Sequence, residues 1–281
     1  MIAPNEFQVS CMSNGSMDKF PNNTLAAFTN YFDNGYSNLD VEYEMGIEEI
    51  HFPKALNNVR KGKNTFIISY QTKKTGKWVE VEKEVPPGFY KTIPKLIEKL
   101  LSNYGETSRK NMTLIGLDIS FNETTRKVRV SANDLRLKIV RINGKVFTPD
   151  SHSAHIILKG DIARLLGFPD NAVITKGDEK FSPIPVTVSG GFHQIFIYSD
   201  MITGQDYPDG KANILRVIPF EGVSSNSNET VERTFFPIYF MNIAKSRASE
   251  MRFEIRDDTG ELVQFQFGKV YISLRFRKKS K

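Results

Sequence analysis

The last thirty-odd residues constrain this chain more than any other stretch. In EMRFEIRDDTGELVQFQFGKVYISLRFRKKSK, residues 250–281, apolar and polar side chains alternate with period two in three short runs. Met251, Phe253 and Ile255 fall on one side of the first run, opposite Arg252, Glu254 and Arg256. Val263, Phe265 and Phe267 repeat the pattern in the second. Val270, Ile272, Leu274 and Phe276 repeat it in the third, opposite Tyr271, Ser273, Arg275 and Arg277. A period of two puts successive side chains on opposite faces of an extended strand, so the three runs predict strands with one buried face and one wet face.

The same signal recurs upstream. Residues 6–12 read as a first strand. In LDVEYEMGIEEI (39–50), Val41, Tyr43, Met45 and Ile47 alternate with Glu42, Glu44 and Glu48. Glu and Met favour helix, but the unbroken alternation and Gly46 decide for strand. The phase slips at Glu48-Glu49, as a β-bulge would make it slip, and Pro53 ends the run. TFIISY (65–70) and KWVEVEKE (77–84) flank KKTG as a hairpin. Further strands are expected at 114–121, 126–131, 135–140, 145–148, 193–200, 212–220 and 233–240. TLAAFTNYF reads equally as strand or short helix.

Two helices stand out. Across 92–104, Ile93, Leu96, Ile97, Leu100, Leu101 and Tyr104 recur at helical spacing. Thr92 is placed to cap the start and Gly105 to end it. A short helix at 161–166 has Asp161 as its expected cap, a buried stripe of Ile162, Leu165 and Leu166, and Gly167 as its stop. Residues 169–192 look irregular. The expected fold is mainly β, a single jelly-roll β-sandwich with a small helix-containing insertion. That insertion, at 86–169, lies between strand groups 6–85 and 190–281.

Composition narrows the function. The 281 residues are enough for one large β-domain with a substantial core, and 21 Phe and 10 Tyr against one Trp suit sheet packing. A lone cysteine, Cys11, excludes an intramolecular disulfide and points to a reducing compartment. MIAPNEFQVS carries no secretory signal pattern, and no apolar run approaches the ~20 residues of a membrane-spanning segment. The net charge of +6 is unevenly spread. Glu6, Asp18, Asp33, Asp40, Glu42, Glu44, Glu48 and Glu49 crowd the first fifty residues against a single base, Lys19. Arg275, Arg277, Lys278, Lys279 and Lys281 crowd the end. A chain split this way can set acidic surface against basic surface of another copy or offer the basic end to nucleic acid; a solvated tail on a solubilising surface is the equally weighted alternative.

Catalytic chemistry finds no foothold, so the chain reads as a non-enzyme. Of His51, His152, His155 and His193, only the middle two are close in sequence. In a strand they would face opposite ways, with no acid or Cys to complete a metal set. Cys11 sits inside a strand pattern as a small hydrophobe. There is no G-x-S-x-G and no phosphate-binding Gly loop. Asp257-Asp258-Thr259-Gly260 reads as a turn between strands, and Asp200, Asp206 and Asp209 as an exposed acidic loop. No cofactor is implied. If the basic end meets DNA, the contact is expected to be nonspecific, because aromatics do not alternate with the bases.

Several blocks, in order along the chain, resemble the minor capsid, or penton, proteins of Polinton (Maverick) elements and of related adintoviruses and virophages. SNGSMDKFPNNTLAAFTNYF followed by YEMGIEEIHFPKALNNV is similar to that family's Phe-Pro-Asn-Asn-Thr stretch and its W-E-V-G-L-A-E-I-x-Y-P block, with Tyr43 where the family has Trp. PPGFYKTIPKLIEKL resembles its P-P-G-Y-Y helix entry, and RKVRV and LKGDIARLLGF its middle. IFIYSDMITGQDYPDGKANILRVIPF resembles its L-Y-V-Y-C-D-I-V and L-L-R-x-V-P blocks, with Ser199 for the usual Cys. The ending resembles the family's ending. The resemblance implies a single jelly roll assembling as a homopentamer at icosahedral vertices of a virion, among double-jelly-roll major capsid proteins. A ligand- or carbohydrate-binding attachment module on the same architecture is the alternative. It would need exposed aromatics, and Trp78 is the only tryptophan.

Overall fold

The computed structural model describes residues 5–37, 39–72, 76–102, 112–132, 136–142, 145–147, 151–188, 193–207, 210–220 and 229–279. The first stretch forms β1 (Glu6–Met12), β2 (Ala27–Ser37), a single helical turn α1 (Leu39–Glu42) and β3 (Tyr43–Pro53). Next come β4 (Thr65–Thr72), β5 (Trp78–Glu84), α2 (Ile93–Ser102), β6 (Met112–Ile115), β7 (Asp118–Asn122) and β8 (Lys127–Ser131). They are followed by β9 (Arg136–Ile142), β10 (Lys145–Phe147), β11 (Ser151–Leu158), α3 (Gly160–Leu165), β12 (Ala172–Thr175) and β13 (Glu179–Phe181). The last stretch adds β14 (Gln194–Ser199), β15 (Gln205–Tyr207), β16 (Gly210–Ala212), β17 (Ile214–Pro219), β18 (Thr230–Thr234), β19 (Met241–Asn242), β20 (Arg247–Arg256) and β21 (Tyr271–Lys278).

The chain divides into two compact units, one made of residues 1–56 and 192–281 and the other of 57–191. The first is a jelly roll, and its pairing shows why. β1 pairs with β21, β2 with β20, β3 with β18 and β14 with β17, all antiparallel. The strands therefore nest as one long hairpin. Rolling that hairpin gives two sheets, β1-β21-β3-β18 (with β19 also on β3) and β17-β14-β20-β2. Their inner faces are the alternating apolar positions: Met251, Phe253 and Ile255 from β20, Ile272, Leu274 and Phe276 from β21, Ile195 and Ile197 from β14, and Met45, Ile47, Ile50 and Phe52 from β3. All lie within one buried cluster. Each such side chain removed from water contributes about 1.5–3 kcal/mol, which is what holds the two sheets face to face.

The second unit, inserted between β3 and β14, has its own core. Phe66, Ile68, Leu96, Leu100, Val128, Val130, Ile156, Leu158, Ile162, Leu165 and Leu166 are buried together. Among the described residues its sheets are β12-β11-β4-β5, β13-β8-β7 and β10-β9-β6. The insert contains helices α2 and α3, as expected, but in a unit that is mostly strand and wider than 86–169. It begins before the β4–β5 hairpin, because Phe66 and Ile68 of β4 are buried in the second core.

Several local expectations change, each for a physical reason. Leu39–Glu42 is a helical turn rather than strand: Leu39 is fully buried, and the core-facing alternation starts only at Tyr43. The undecided stretch around residue 27 is strand β2. The run 114–121 splits at Gly116, whose φ of 80° breaks the extended chain; β6 pairs with β9 and β7 with β8. Residues 169–192 are not wholly irregular, since β12 and β13 extend two sheets. The middle C-terminal run is no strand. Val263 is buried, but the segment makes only single bridges, Arg256 to Leu262 and Leu56 to Phe265. Asp161 does not cap its helix: Lys159 holds the cap position with no side-chain bond. The Thr92 cap forms, its Oγ1 accepting the Lys95 N–H at 3.3 Å. The slip at Glu48-Glu49 is a register shift in the β3–β21 ladder. Tyr104, Gly105 and the Asn143-Gly144 turn lie outside the described residues.

Candidate functional site

The basic end of the chain is where sequence alone placed the candidate contacts. In the structure it lies beside the acidic end. β21 is the hydrogen-bonded neighbour of β3, with Arg277 opposite Glu44 and Arg275 opposite Gly46. Arg275 bonds Glu48 and comes within 3.8 Å of Glu6. The Glu48 hydrogen bond raises its pKa further. Arg277 Nε donates to Glu44 at 2.5 Å, and its guanidinium lies 3.7 Å from the centre of the Phe240 ring. Lys278 is 3.7 Å from Glu42, and Lys279 Nζ donates to the Asp40 carbonyl at 2.7 Å. Lys281 lies outside the described residues. The charge split of the sequence is thus met within the chain, across neighbouring strands of one sheet. Half-exposed pairs of this kind are each worth about 0–1 kcal/mol.

Next to this ladder is a feature the sequence reading missed. Residues 233–240 were expected as a strand, but β18 ends at Thr234 and the next segment, FFPIYF (235–240), arches away before β19 rejoins β3. Gly46 lies beneath the arch. A Cβ on Gly46 would collide with the Tyr239 carbonyl and stand 2.6 Å from Ile238 Cγ2. The arch is braced by cations. Arg216 of β17 lies over Phe235 at 4.1 Å and over Tyr239 at 4.5 Å, while Phe240 rests on Arg277. Phe236 at its crest is 97% exposed and Tyr239 62%. Pro237, inside a run otherwise rich in strand formers, is the sequence signal that could have revealed it, because proline interrupts a ladder.

Two open depressions lie on the outer side of the β17-β14-β20-β2 sheet and share Arg252. One, of about 230 Å³, is lined by Tyr198, Ser199, Asp200, Asn213, Arg252 and Glu254. Asp200 there is bonded to Lys245 at 2.5 Å and accepts the Arg252 N–H at 2.9 Å. The other, of about 290 Å³, sits at the β2 edge with Lys19, Phe20, Pro21, Asn22, Ala27 and Arg252 in its walls. Asn23 fixes its loop, donating to the Gly15 and Thr29 carbonyls and accepting the Thr29 N–H.

The remaining candidates have structural roles. Asp257 Oδ1 accepts from Thr259 N at 2.8 Å and Glu261 N at 3.2 Å, and Gly260 has a φ of 78°; Asp-Asp-Thr-Gly is a turn. Cys11 is buried, which pushes its thiol up to about 12. Among the described residues no three His, Cys, Asp or Glu side chains gather where they could hold a metal ion.

No family model matches the chain, and no curated protein matches it in sequence. Among solved structures it is similar to the mavirus penton protein, with 12% identity, a TM-score of 0.44, and cover of 98% of this chain and 100% of that one. A likeness of that degree fixes neither fold nor function. The architecture stated above rests on the strand pairing itself.

Proposed function

We propose that this chain is a structural protein of an icosahedral particle: a minor capsid, or penton, protein of a Polinton-type element, forming vertices as a ring of five copies among double-jelly-roll major capsid proteins. The observation that carries the reading is the nested pairing of eight strands into a jelly roll, in a chain whose sequence blocks resemble that family in the same order. The role is structural rather than catalytic, and the site of action is the virion. Contact with packaged DNA, if the particle uses it, belongs to the basic end, Arg275, Arg277, Lys278, Lys279 and Lys281, and competes with the contacts that Arg275, Arg277, Lys278 and Lys279 make with Glu48, Glu44, Glu42 and Asp40. The test is native mass measurement and electron microscopy of the purified chain, alone and with a double-jelly-roll major capsid protein. Five-copy rings, or density at five-fold vertices, are expected; a chain that stays single and never enters particles overturns the reading.

One observation favours a second reading, a carbohydrate-binding attachment module. Trp78 on β5 is half exposed and packs against His155 with ring centres 4.7 Å apart, an aromatic platform on the outer face of the insert's largest sheet. A glycan array that returns no binder removes this alternative.

A further inference from the structure

Phe236 is the most exposed large apolar side chain among the described residues. A single exposed apolar residue is ordinary. A phenylalanine raised on a braced arch is a different case. Its neighbours Phe235, Tyr239 and Phe240 are each held against a guanidinium, and the arch crosses Gly46 too closely to admit a side chain there. The arch is therefore held in shape before it meets anything, and little ordering entropy is left to lose on binding. Its place in the fold matters as well. It follows β18, the edge strand of one sheet, and is braced by β17, the edge strand of the other. The 290 Å³ depression lies at β2, the edge strand on the opposite side of the sandwich. A cavity of about 150 Å³ holds a benzene ring, so this one admits a phenyl group. Its chemistry suits one too: Phe20, Pro21 and Ala27 supply apolar wall, while Lys19, which lies over the Tyr31 ring and 3.6 Å from Asp33, and Arg252, bonded to Glu254 at 2.6 Å, form its polar rim.

We propose that Phe236 of one copy seats in the Lys19/Pro21/Arg252 depression of a second copy, joining the β17/β18 edge of each subunit to the β2 edge of the next. Knob and socket are different surfaces on opposite edges, so the contact is head to tail rather than two-fold, and its repetition gives a ring where the rotation closes and an open filament where it does not. This deepens the vertex reading above and rests on it for the number of copies, not for the contact itself.

The test uses the full chain with p-azidophenylalanine in place of Phe236, mixed with an equal amount of isotope-labelled wild-type chain and irradiated. Mass spectrometry of the cross-linked peptides is expected to join residue 236 of one isotope to residues 19–29 or 252 of the other. Cross-links from residue 236 to the 235–240 segment of the second copy would mean a two-fold contact and overturn the proposal. So would an assembled sample with no cross-link to the depression. Separately, Phe236→Ser is expected to weaken self-association at least about tenfold while leaving the melting temperature unchanged, because the exposed ring supports little in its own subunit. If wild-type rings or particles form and neither result appears, the contact is wrong and the vertex reading stands. If the wild type neither associates nor enters particles, both fall.

Discussion

Asp161 carries its charge inside the inserted unit at 1% exposure. Its carboxylate accepts from Arg60 N at 2.8 Å and from Arg60 Nη2 at 2.8 Å, and from Arg164 at 2.9 Å. Burial alone would push its pKa up. The Arg60 hydrogen bonds and the Arg164 charge outweigh burial and hold it below the usual carboxylate value. The folded carboxyl therefore gives up its proton more readily than the unfolded one, whose pKa is about 3.9. The resulting stability is complete above the unfolded value and is lost as pH falls through the lowered folded value. Asp161→Asn is expected to flatten the acid limb of the insert's stability-against-pH curve, followed by circular dichroism in urea. Asp161→Ala is expected to cost about 3–5 kcal/mol, because it strips a buried guanidinium of its main acceptor. In the jelly roll, Gly46→Ala would force a methyl group against the Tyr239 carbonyl and the Ile238 side chain and is expected to cost about 1–3 kcal/mol as overpacking. A urea midpoint that does not move would show that the arch yields.

At the scale of elements, period-two alternation was legible wherever the strand had one wet face. β20 and β21 appear where it placed them, and β3 does from Tyr43 onward, including the bulge at Glu48. It misled where alternation was too short to be anchored by pairing. Val263 and Phe265 contribute to the core without a ladder, and Leu39 is buried from a helical turn. Local pattern cannot say which strands will be neighbours. The β3–β21 pairing joins residues more than two hundred positions apart, and it is this pairing that brings the basic end onto the acidic strand. The same limit hid the arch and its socket, since neither has meaning until β17, β18 and β2 are known to be edges. Edges also explain Lys83. It lies on the core side of edge strand β5, opposite Phe66, with its ammonium buried and without a hydrogen-bond partner among the described residues. Burial lowers its pKa. An inward charge on an edge strand discourages further strands from adding to the sheet. Lys83→Val is thus expected to raise the melting temperature of the insert while increasing light scattering on storage. A variant that is more stable and equally soluble would show that the lysine has no protective role.

At the scale of the molecule, two buried clusters share no residue, one in the jelly roll and one in the insert. Two cores of this kind are expected to melt separately, so that one midpoint does not describe the chain. Differential scanning calorimetry is expected to resolve two transitions, with Asp161→Ala lowering one and Gly46→Ala the other. A single transition moved by both would mean that the units unfold together. The nested order of strands also sets a timetable during synthesis. β21 is an interior strand of its sheet, lying between β1 and β3, so those two early strands have no neighbour between them until residue 278 has been translated. The insert, whose sheets pair residues within 57–191, is free to fold while the ribosome is still working. The sandwich cannot close before translation has passed β21, and a prematurely terminated chain would carry a finished insert on an open pair of sheets, with its knob and socket not yet on opposite edges of a closed body.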